Sequence, residues 1–230
     1  MIIHKKTIGS TNDLALELAK EKKTTFGTMV IADEQTKGRG RYKRKWVSEK
    51  GNLFCSIIIH SDNCFADAGK VSFAASLAIL ETLEHFGAQQ VSLKWPNDVL
   101  VDNKKISGIL IETDGNKQGV MVIGIGVNLK HAPKRTTNYP ATSLSEIVGK
   151  DINPKTFSAY MRVRLLELLK RDDLNKLWES HAINRGKEIK INLRNNSLTG
   201  IFKGVNKRGH LKLETKDGEK ITISAGDVFF

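Results

Sequence analysis

Hydrophobic residues in the first 130 positions occur mostly in short, strongly apolar runs, separated by polar segments and by two stretches with helical spacing. Short apolar runs bounded by polar turns predict buried strands, whereas apolar residues recurring every three or four positions predict amphipathic helices. One predicted helix begins at Ser10, and a second covers residues 66–86. The predicted strands cover residues 2–7, 27–33, 53–60, 91–94, 99–101, 106–112 and 119–129. This mixture indicates a sheet packed with helices, an α/β (α+β) fold.

The pattern changes near residue 186. Before that point, helical spacing predicts a short helix near Ser143 and two longer helices over 154–171 and 172–183. Beyond it come short β-patterned runs separated by turn residues, and they cover 188–193, 198–205, 210–215 and 220–230. Such runs predict a small, curled β-domain. We therefore divide the chain into a domain over 1–184 and a second domain over 185–230.

Ser10, Thr11 and Asn12 precede the first predicted helix. Ser10 with Asp13 three residues later fits a capping box, in which the side chains satisfy backbone N–H groups at the helix start. The same helix start also offers N–H groups and hydroxyls to a polar ligand. The two interpretations do not exclude each other.

The segment Gln35–Trp46 joins two predicted core strands and is rich in basic residues. From Lys37 to Lys45 it holds six basic residues, two glycines, one tyrosine and no acid. Like charges and glycines make such a segment costly to order by itself, so it is predicted to be a mobile loop that an anion orders. Its arginines can clamp a carboxylate or a phosphate in bidentate fashion. A solvated basic turn or a nucleic-acid patch is the alternative that this segment leaves open.

Composition indicates the class of partner and the cellular compartment, but it does not indicate the function. The chain has 230 residues, a formal net charge of +12 and an isoelectric point near 9.7, which favours anionic partners without choosing among them. Two cysteines cannot build a disulfide framework, so a reducing compartment is expected. The first residues carry no apolar signal-peptide segment, and no apolar run reaches membrane-spanning length. We therefore expect a cytoplasmic protein with no membrane partner.

Three further segments complete a recognisable set of motifs: Lys94-Trp-Pro-Asn-Asp98, Lys104-Lys-Ile-Ser-Gly108 and Gly124-Ile-Gly-Val-Asn128. Together with Ser10-Thr-Asn12 and the Gly-Arg-Gly-Arg of the basic segment, and in this order, they resemble the biotin protein ligases. The resemblance spans nearly the whole chain. It implies a mixed sheet flanked by helices, of the biotin/lipoate ligase type, followed by a small SH3-like β-barrel domain.

The resemblance also implies a reaction. Biotin and MgATP give biotinyl-5′-AMP and pyrophosphate, and a lysine of a biotin carboxyl carrier protein then attacks the mixed anhydride and releases AMP. The expected small molecules are therefore biotin, ATP and Mg²⁺, and the expected partner is the carrier protein of a biotin-dependent carboxylase. A homodimer is left open, and no specific DNA is expected.

Site residues follow from the same resemblance, motif by motif. The expected catalytic residues are Lys105, Arg41 and Asp98. The expected biotin-binding residues are Ser10, Thr11, Asn12, Gln35, Arg39, Gly40, Arg41, Lys105 and Gly108. The expected nucleotide-binding residues are Arg39, Arg41, Arg44, Trp46, Lys94, Asn97 and Asn128. No protein-bound metal is expected, because the six histidines show no ligand spacing.

Ordinary structural roles compete with several of these assignments. Lys94 equally suits a surface lysine at a strand end, Asp98 can cap the turn at Pro96, and Lys105 falls in a predicted turn over 102–105. Gly124 and Gly126 suit close packing without any ligand.

The chain also departs from the family pattern. Lys43 stands where the family commonly has a second glycine, which bears on the ordering of the loop. Ser10 lies too near the first residue for the winged-helix domain of many bacterial relatives, so no repressor function is expected.

Two other functions stay open at this point. A lipoate ligase or octanoyltransferase has the same catalytic fold, but its Arg-Arg-x-Ser-Gly-Gly-Gly loop is absent, and the two cysteines lie in a predicted strand (Cys55) and a predicted polar turn (Cys64). A basic nucleic-acid-binding module fits the charge, but no aromatic stacking motif interleaves with the basic residues.

Overall fold

The structure is a computed structural model, and it describes residues 1–60, 64–113, 119–133, 140–193 and 196–229, with only the backbone of 64–67. Its larger sheet has seven strands in the order β1-β2-β3-β7-β6-β5-β4. The strands are β1 (Ile2–Ile8), β2 (Thr28–Gln35), β3 (Leu53–His60), β4 (Val91–Lys94), β5 (Asp98–Val101), β6 (Lys104–Thr113) and β7 (Val120–Val127). Only β1 and β2 run parallel among these neighbours, so the sheet is mixed, as expected.

One face of this sheet carries the main core. The helices there are α2 (Cys64–His85), α4 (Pro154–Leu168) and α5 (Leu174–Ser180), and the short α3 (Leu144–Val148) lies between β7 and α4 in the chain. Alternate residues of β3 and β7, such as Ile57 and Ile123, bury against them, because side chains point to opposite faces along a strand. Among the described residues, no helix combines the length and apolarity needed to cross a membrane.

The opposite face is covered only in part, by α1 (Thr11–Lys20). Ala15 and Ala19 of this helix pack on Val120 and Val122 of β7 in a small second core. The next two residues of β7 on that face are Gly124 and Gly126, which carry no side chain to bury. Just beyond the N-terminus of α1, this face of the sheet is therefore not covered by a helix in the described part of the chain.

The second sheet has five antiparallel strands in the order β11-β10-β9-β8-β12. They are β8 (Glu188–Asn192), β9 (Ser197–Val205), β10 (Leu211–Glu214), β11 (Lys220–Ile223) and β12 (Asp227–Phe229). The small C-terminal β-domain is thus confirmed as an antiparallel sheet. It docks on the larger sheet through the β9–β10 turn, where the indole nitrogen Nε1 of Trp95 donates to Gly209 O at 2.9 Å.

The structure corrects several local predictions. Asp102 and Asn103 take φ angles of 48° and 61°, which makes a two-residue hairpin and moves Lys105 from the predicted turn into β6. Ser10 occupies the N-cap position, but its side chain caps no N–H group, so the capping box is not formed. The last β-run is two strands, because the chain bends at Ser224–Gly226, and Phe230 lies outside the described residues. Cys64, predicted in a polar turn, begins α2.

Candidate active site

A cavity of about 520 Å³ lies over the open part of the sheet, between α1, the basic loop and strand β12. Its size is in the usual range of small-molecule sites. Every residue that the sequence predicts for the site lines it: Ser10, Thr11, Asn12, Gln35, Arg39, Gly40, Arg41, Arg44, Trp46, Lys94, Asn97, Asp98, Lys105, Gly108 and Asn128. Segments that are far apart in sequence therefore meet at one place, although their individual roles stay predictions.

A hydrogen-bonded network of polar side chains forms one end of the cavity. Gln35 Oε1 accepts from Thr11 N at 2.8 Å and from Thr11 Oγ at 3.0 Å. Ser56 Oγ lies 2.8 Å from Thr11 Oγ and 2.5 Å from Asn12 Oδ1, and Asn12 Nδ2 donates to Glu112 at 2.6 Å. These side chains are thus held in fixed orientations, as a site that recognises a polar ring requires.

Two glycines of β7 leave the space that this network and the loop occupy. A Cβ atom on Gly124 would lie 2.8 Å from Asn12 Nδ2, and one on Gly126 would lie 2.5 Å from the ring of Trp46. Both distances are far below an ordinary contact, so any larger residue would displace Asn12 or Trp46. Close packing is thus shown for both glycines, and because both also line the cavity, their contact with a ligand stays a prediction.

The arginines of the basic loop find carboxylates outside the loop. Arg39 donates to Asp13 at 2.7 Å and to Glu112 at 2.9 and 3.3 Å. Arg41 donates to Asp227 at 3.3 Å and to the Gly226 carbonyl at 3.0 Å, and Arg44 also binds Asp227. The absence of acids within the loop is thus compensated by the rest of the fold. Whether the ligand-free loop is mobile in solution stays a prediction.

Three charged groups of β4, β5 and β6 meet at the other end. Lys105 Nζ lies 2.6 Å from Asp98 Oδ1 and 5.5 Å from the centre of the Trp46 ring. Lys94 is only 7% exposed, which removes the surface interpretation of this residue. Burial lowers the pKa of the Lys94 ammonium to about 8; Asp98 opposes this shift and Lys105 adds to it. Lys94 therefore keeps its full positive charge only well below pH 8.

Asn97 and Asn128 support the cavity wall through the backbone. Asn97 Nδ2 donates to Ile109 O at 2.7 Å, and Asn128 Nδ2 donates to Thr142 O at 3.1 Å. Both side chains thus have a structural task in this conformation, and their contact with a nucleotide stays a prediction.

Cys55 lies on the wrong side of the sheet for catalysis. It is fully buried in the main core, on the helix-covered face. Burial raises the pKa of its thiol to about 12, so a thiolate nucleophile is unavailable at neutral pH. This excludes Cys55 as the catalytic cysteine of an octanoyltransferase.

The sequence missed three polar residues of the site: Asp227 lines the cavity, whereas Ser56 and Glu112 hydrogen-bond to side chains that line it. Ser56 is the single polar residue inside the apolar run of β3, a signal that could have been used. Glu112 ends a strand and gave no such signal. Asp227, with Val228 and Phe229, reaches the cavity from the second sheet, so the wall extends beyond the predicted 1–184 domain. The division of the chain at 184/185 itself stays a prediction.

Comparisons with known proteins identify the family of the chain. Residues 5–128 match the model of the Biotin/lipoate A/B protein ligase family, and residues 186–230 match that of the Biotin protein ligase C terminal domain. A biotin–[acetyl-CoA-carboxylase] ligase of Paracoccus denitrificans is 32% identical over 235 residues, which cover 96% of this chain and 97% of that protein. The chain belongs to the biotin protein ligase family. The resemblance seen in the motifs is therefore confirmed.

Two other relatives place the ligase within this family. The bifunctional ligase/repressor BirA of Bacillus subtilis is 32% identical over 240 residues, which cover 97% of this chain and 72% of BirA. The biotin protein ligase of Aquifex aeolicus, solved in complex with biotin and ATP, superposes with a TM-score of 0.86 at 31% identity and covers 99% of this chain and 97% of its own. Both sheets of the ligase are thus part of the shared architecture.

Proposed function

We propose that this ligase activates biotin with ATP to biotinyl-5′-AMP and then transfers biotin to a lysine of a biotin carboxyl carrier protein. The observation that carries the proposal is the cavity, which brings a fixed polar end together with a cluster of cations. The Aquifex relative that holds biotin and ATP supports the same two substrates here. The polar end suits the uncharged ring system of biotin, and the cations suit its carboxylate and the phosphates of ATP.

In the first step, a carboxylate oxygen of biotin attacks the α-phosphorus, the bond from that phosphorus to the bridging oxygen breaks, and pyrophosphate leaves. Two anions must approach within bonding distance, so nearby cations lower the barrier by offsetting their repulsion. We assign the carboxylate–phosphate junction to Lys105 and Arg39, and the phosphates to Arg41, Arg44 and Lys94. All of these line the cavity.

In the second step, the neutral amine of a carrier lysine attacks the carbonyl carbon, the bond to the AMP oxygen breaks, and an amide forms with loss of a proton. Asp98 is the carboxylate at the proposed junction, 2.6 Å from Lys105 Nζ. We propose that it orients the incoming lysine, because a carboxylate accepts hydrogen bonds from an ammonium or amine.

Mg²⁺ is proposed to enter with ATP as part of the substrate. The described residues contain no cluster of three or more His, Cys, Asp or Glu side chains that could hold a metal ion. A magnesium ion bound mainly through phosphate oxygens and water, with Asp98 as a nearby carboxylate, fits that composition.

The carrier protein, the oligomeric state, the cellular location and DNA binding are also predicted. The carrier protein is inferred from the family and from the substrate chemistry, and its identity is open. A homodimer, a cytoplasmic location and the absence of specific DNA binding stay predictions. Sedimentation would test the first, and binding to a labelled oligonucleotide across a salt series would test the last.

The direct test is to incubate the purified protein with ATP and biotin and to measure biotinyl-5′-AMP by mass spectrometry. We expect its formation, followed by labelling of an added biotin carrier domain. Lipoate in place of biotin is the control and should give no acyl-adenylate. If lipoate and not biotin is activated, the ligase uses the same fold for the other acid.

Gly124→Ala tests the polar end of the cavity. The new methyl group displaces Asn12 from Ser56 and Glu112, so we expect KM for biotin to rise about tenfold, the cost of one or two hydrogen bonds. KM for ATP should change less than twofold. Gly9→Ala is the matched control, because a Cβ there meets only Lys37, at 3.9 Å. Equal biotin KM values in the two variants would contradict the assignment.

Arg41→Gly tests retention of the adenylate. Loss of one charge-assisted clamp should speed release of biotinyl-5′-AMP by about tenfold to a hundredfold. Free adenylate then acylates lysines of bystander proteins, which a biotin blot of an added lysine-rich protein measures.

Lys37→Gly serves as the control for Arg41→Gly, because Lys37 lies in the same loop but does not line the cavity. Lys43 is an additional cation in this loop, so the double variant Arg41→Gly/Lys43→Gly shows whether Lys43 replaces the lost clamp. Unchanged bystander labelling in both single and double variants would remove Arg41 from this role.

A further inference from the structure

Two arginines of the basic loop share one carboxylate of the second sheet. Asp227, the first residue of β12, binds both Arg41 and Arg44, and Arg41 also donates to the neighbouring Gly226 carbonyl. Asp227 itself lines the cavity and is 25% exposed. A loop that has no acid of its own is thus closed across the cavity by a carboxylate about 185 residues further along the chain.

The turn held by this contact has an unfavourable backbone. Tyr42 and Lys43 have φ angles of 55° and 58°, in the left-handed region that residues with a Cβ adopt only at a cost. The guanidinium groups of Arg41 and Arg44 lie 5.0 and 5.4 Å from the centre of the Tyr42 ring. The turn therefore depends on its contacts. Arg41 and Arg44 each contact the Tyr42 ring, and both also bind Asp227.

We propose that Asp227 is a positioning residue that acts as a resident counterion: it keeps the loop closed in the absence of nucleotide and is exchanged for the ATP phosphates. The proposal rests on the proposed function for the identity of the incoming anion. A carboxylate and a phosphate compete for the same guanidinium donors. ATP must therefore separate Asp227 from Arg41 and Arg44 before its phosphates can take both.

This exchange has two opposite consequences for one substitution. Asp227→Asn removes the carboxylate charge, so the ligand-free loop loses its counterion and opens more often. The same change frees two arginines for phosphate, so ATP binds with less competition. A residue that only supported the fold would produce the first effect without the second.

The experiment compares Asp227→Asn with Asp227→Glu, which keeps a carboxylate, and with Asp217→Asn, which makes the same charge change at an exposed position in the β10–β11 turn. Trypsin cleavage between Lys37 and Lys45 is followed on the ligand-free proteins, since none of these variants adds or removes a cleavage site. KM for ATP and kcat are then measured for biotinyl-5′-AMP formation at saturating biotin.

We expect Asp227→Asn to be cleaved in the loop about fivefold faster than the unmodified protein and to lower KM for ATP about threefold, the scale of a partly exposed ion pair. The kcat value should stay within twofold. Asp227→Glu should restore slow cleavage, and Asp217→Asn should match the unmodified protein. A KM for ATP that rises or stays constant, or unchanged cleavage, overturns the proposal.

The trypsin comparison separates this proposal from the proposed function, because it uses no substrate. If the unmodified protein activates no biotin, the proposed function fails, while protection of the loop by Asp227 is still measured. Pyrophosphate supplies the anion in that case: it should protect the Asp227→Asn loop at a lower concentration than it protects the unmodified loop, and the reverse order overturns the exchange.

Discussion

Lys105→Ala should lower the rate of biotinyl-5′-AMP formation by about thirtyfold to a thousandfold while leaving the fold intact. The loss corresponds to about 2–4 kcal/mol in the barrier, the usual effect of removing one donor that stabilises developing charge. The structure adds a second reason. Without the Lys105 ammonium, the Asp98 carboxylate that lies 2.6 Å from it keeps its negative charge where two substrate anions must meet. Single-turnover measurements at saturating biotin and ATP would give the rate.

The backbone of Lys105 explains why the fold should survive this change. Lys105 N donates to Pro140 O at 2.7 Å, and its carbonyl accepts from Thr142 N at 3.0 Å, so main-chain contacts fix the position. Lys104→Ala is the matched control, since Lys104 is the exposed neighbour on the same strand. Equal rates for the two variants, or less than a threefold loss in Lys105→Ala, would remove Lys105 from the junction.

Deleting residues 185–230 should abolish adenylate formation and lower the melting temperature by about 10 °C or more. The reacting groups are still predicted to lie in 1–184, but β12 supplies a wall of the cavity. The deletion also uncovers apolar side chains of the shared core and removes the Gly209 acceptor of the Trp95 indole. Calorimetry and mass spectrometry of the fragment test both effects.

A point substitution can disturb the docking of the second sheet without removing it. Gly209→Ala places a Cβ atom 2.6 Å from the Cα of Gly69 on α2, so the β9–β10 turn must move away from the larger sheet. Gly218→Ala has the same φ of 80° but meets no atom within 4 Å. Both carry the same backbone cost, and only the first should reduce adenylate formation. Full activity in Gly209→Ala would show that the reaction does not depend on how the second sheet docks.

The strands and helices were largely readable from the sequence because burial imposes short-range patterns. The apolar run 53–60 gives β3 with its exact bounds, since a strand inside a sheet has almost no polar position. The errors lie where a local rule met a competing contact. Lys105 moved into a strand because the Asp102–Asn103 hairpin needs only two residues, and Ser10 made no capping bond although its spacing from Asp13 allowed one.

The site was predictable only as far as its motifs extend. Basic and polar motif residues were placed correctly in one cavity because a resemblance in order and spacing carries three-dimensional information. Their carboxylate partners were not predictable: Glu112 lies 73 residues from Arg39, and Asp227 lies 186 residues from Arg41. No periodicity or turn signal links positions at such separation, since only the register of the sheets and their docking brings them together.

The recess at Gly126 has a consequence for how this part of the sequence can change. The Trp46 ring fills the space that a side chain at 126 would need, and its Cζ3 atom would lie 3.0 Å from a Cβ on Gly108 as well. A substitution at Gly126 therefore requires a smaller residue at 46, and one at Gly108 requires the Trp46 ring to shift by a few tenths of an ångström. Trp46, Gly108 and Gly126 are therefore coupled: the effect of a mutation at one of them depends on the residues at the other two. In evolution, a change at Gly126 then requires a compensating change at Trp46, because either substitution alone disrupts the contact between the basic loop and β7.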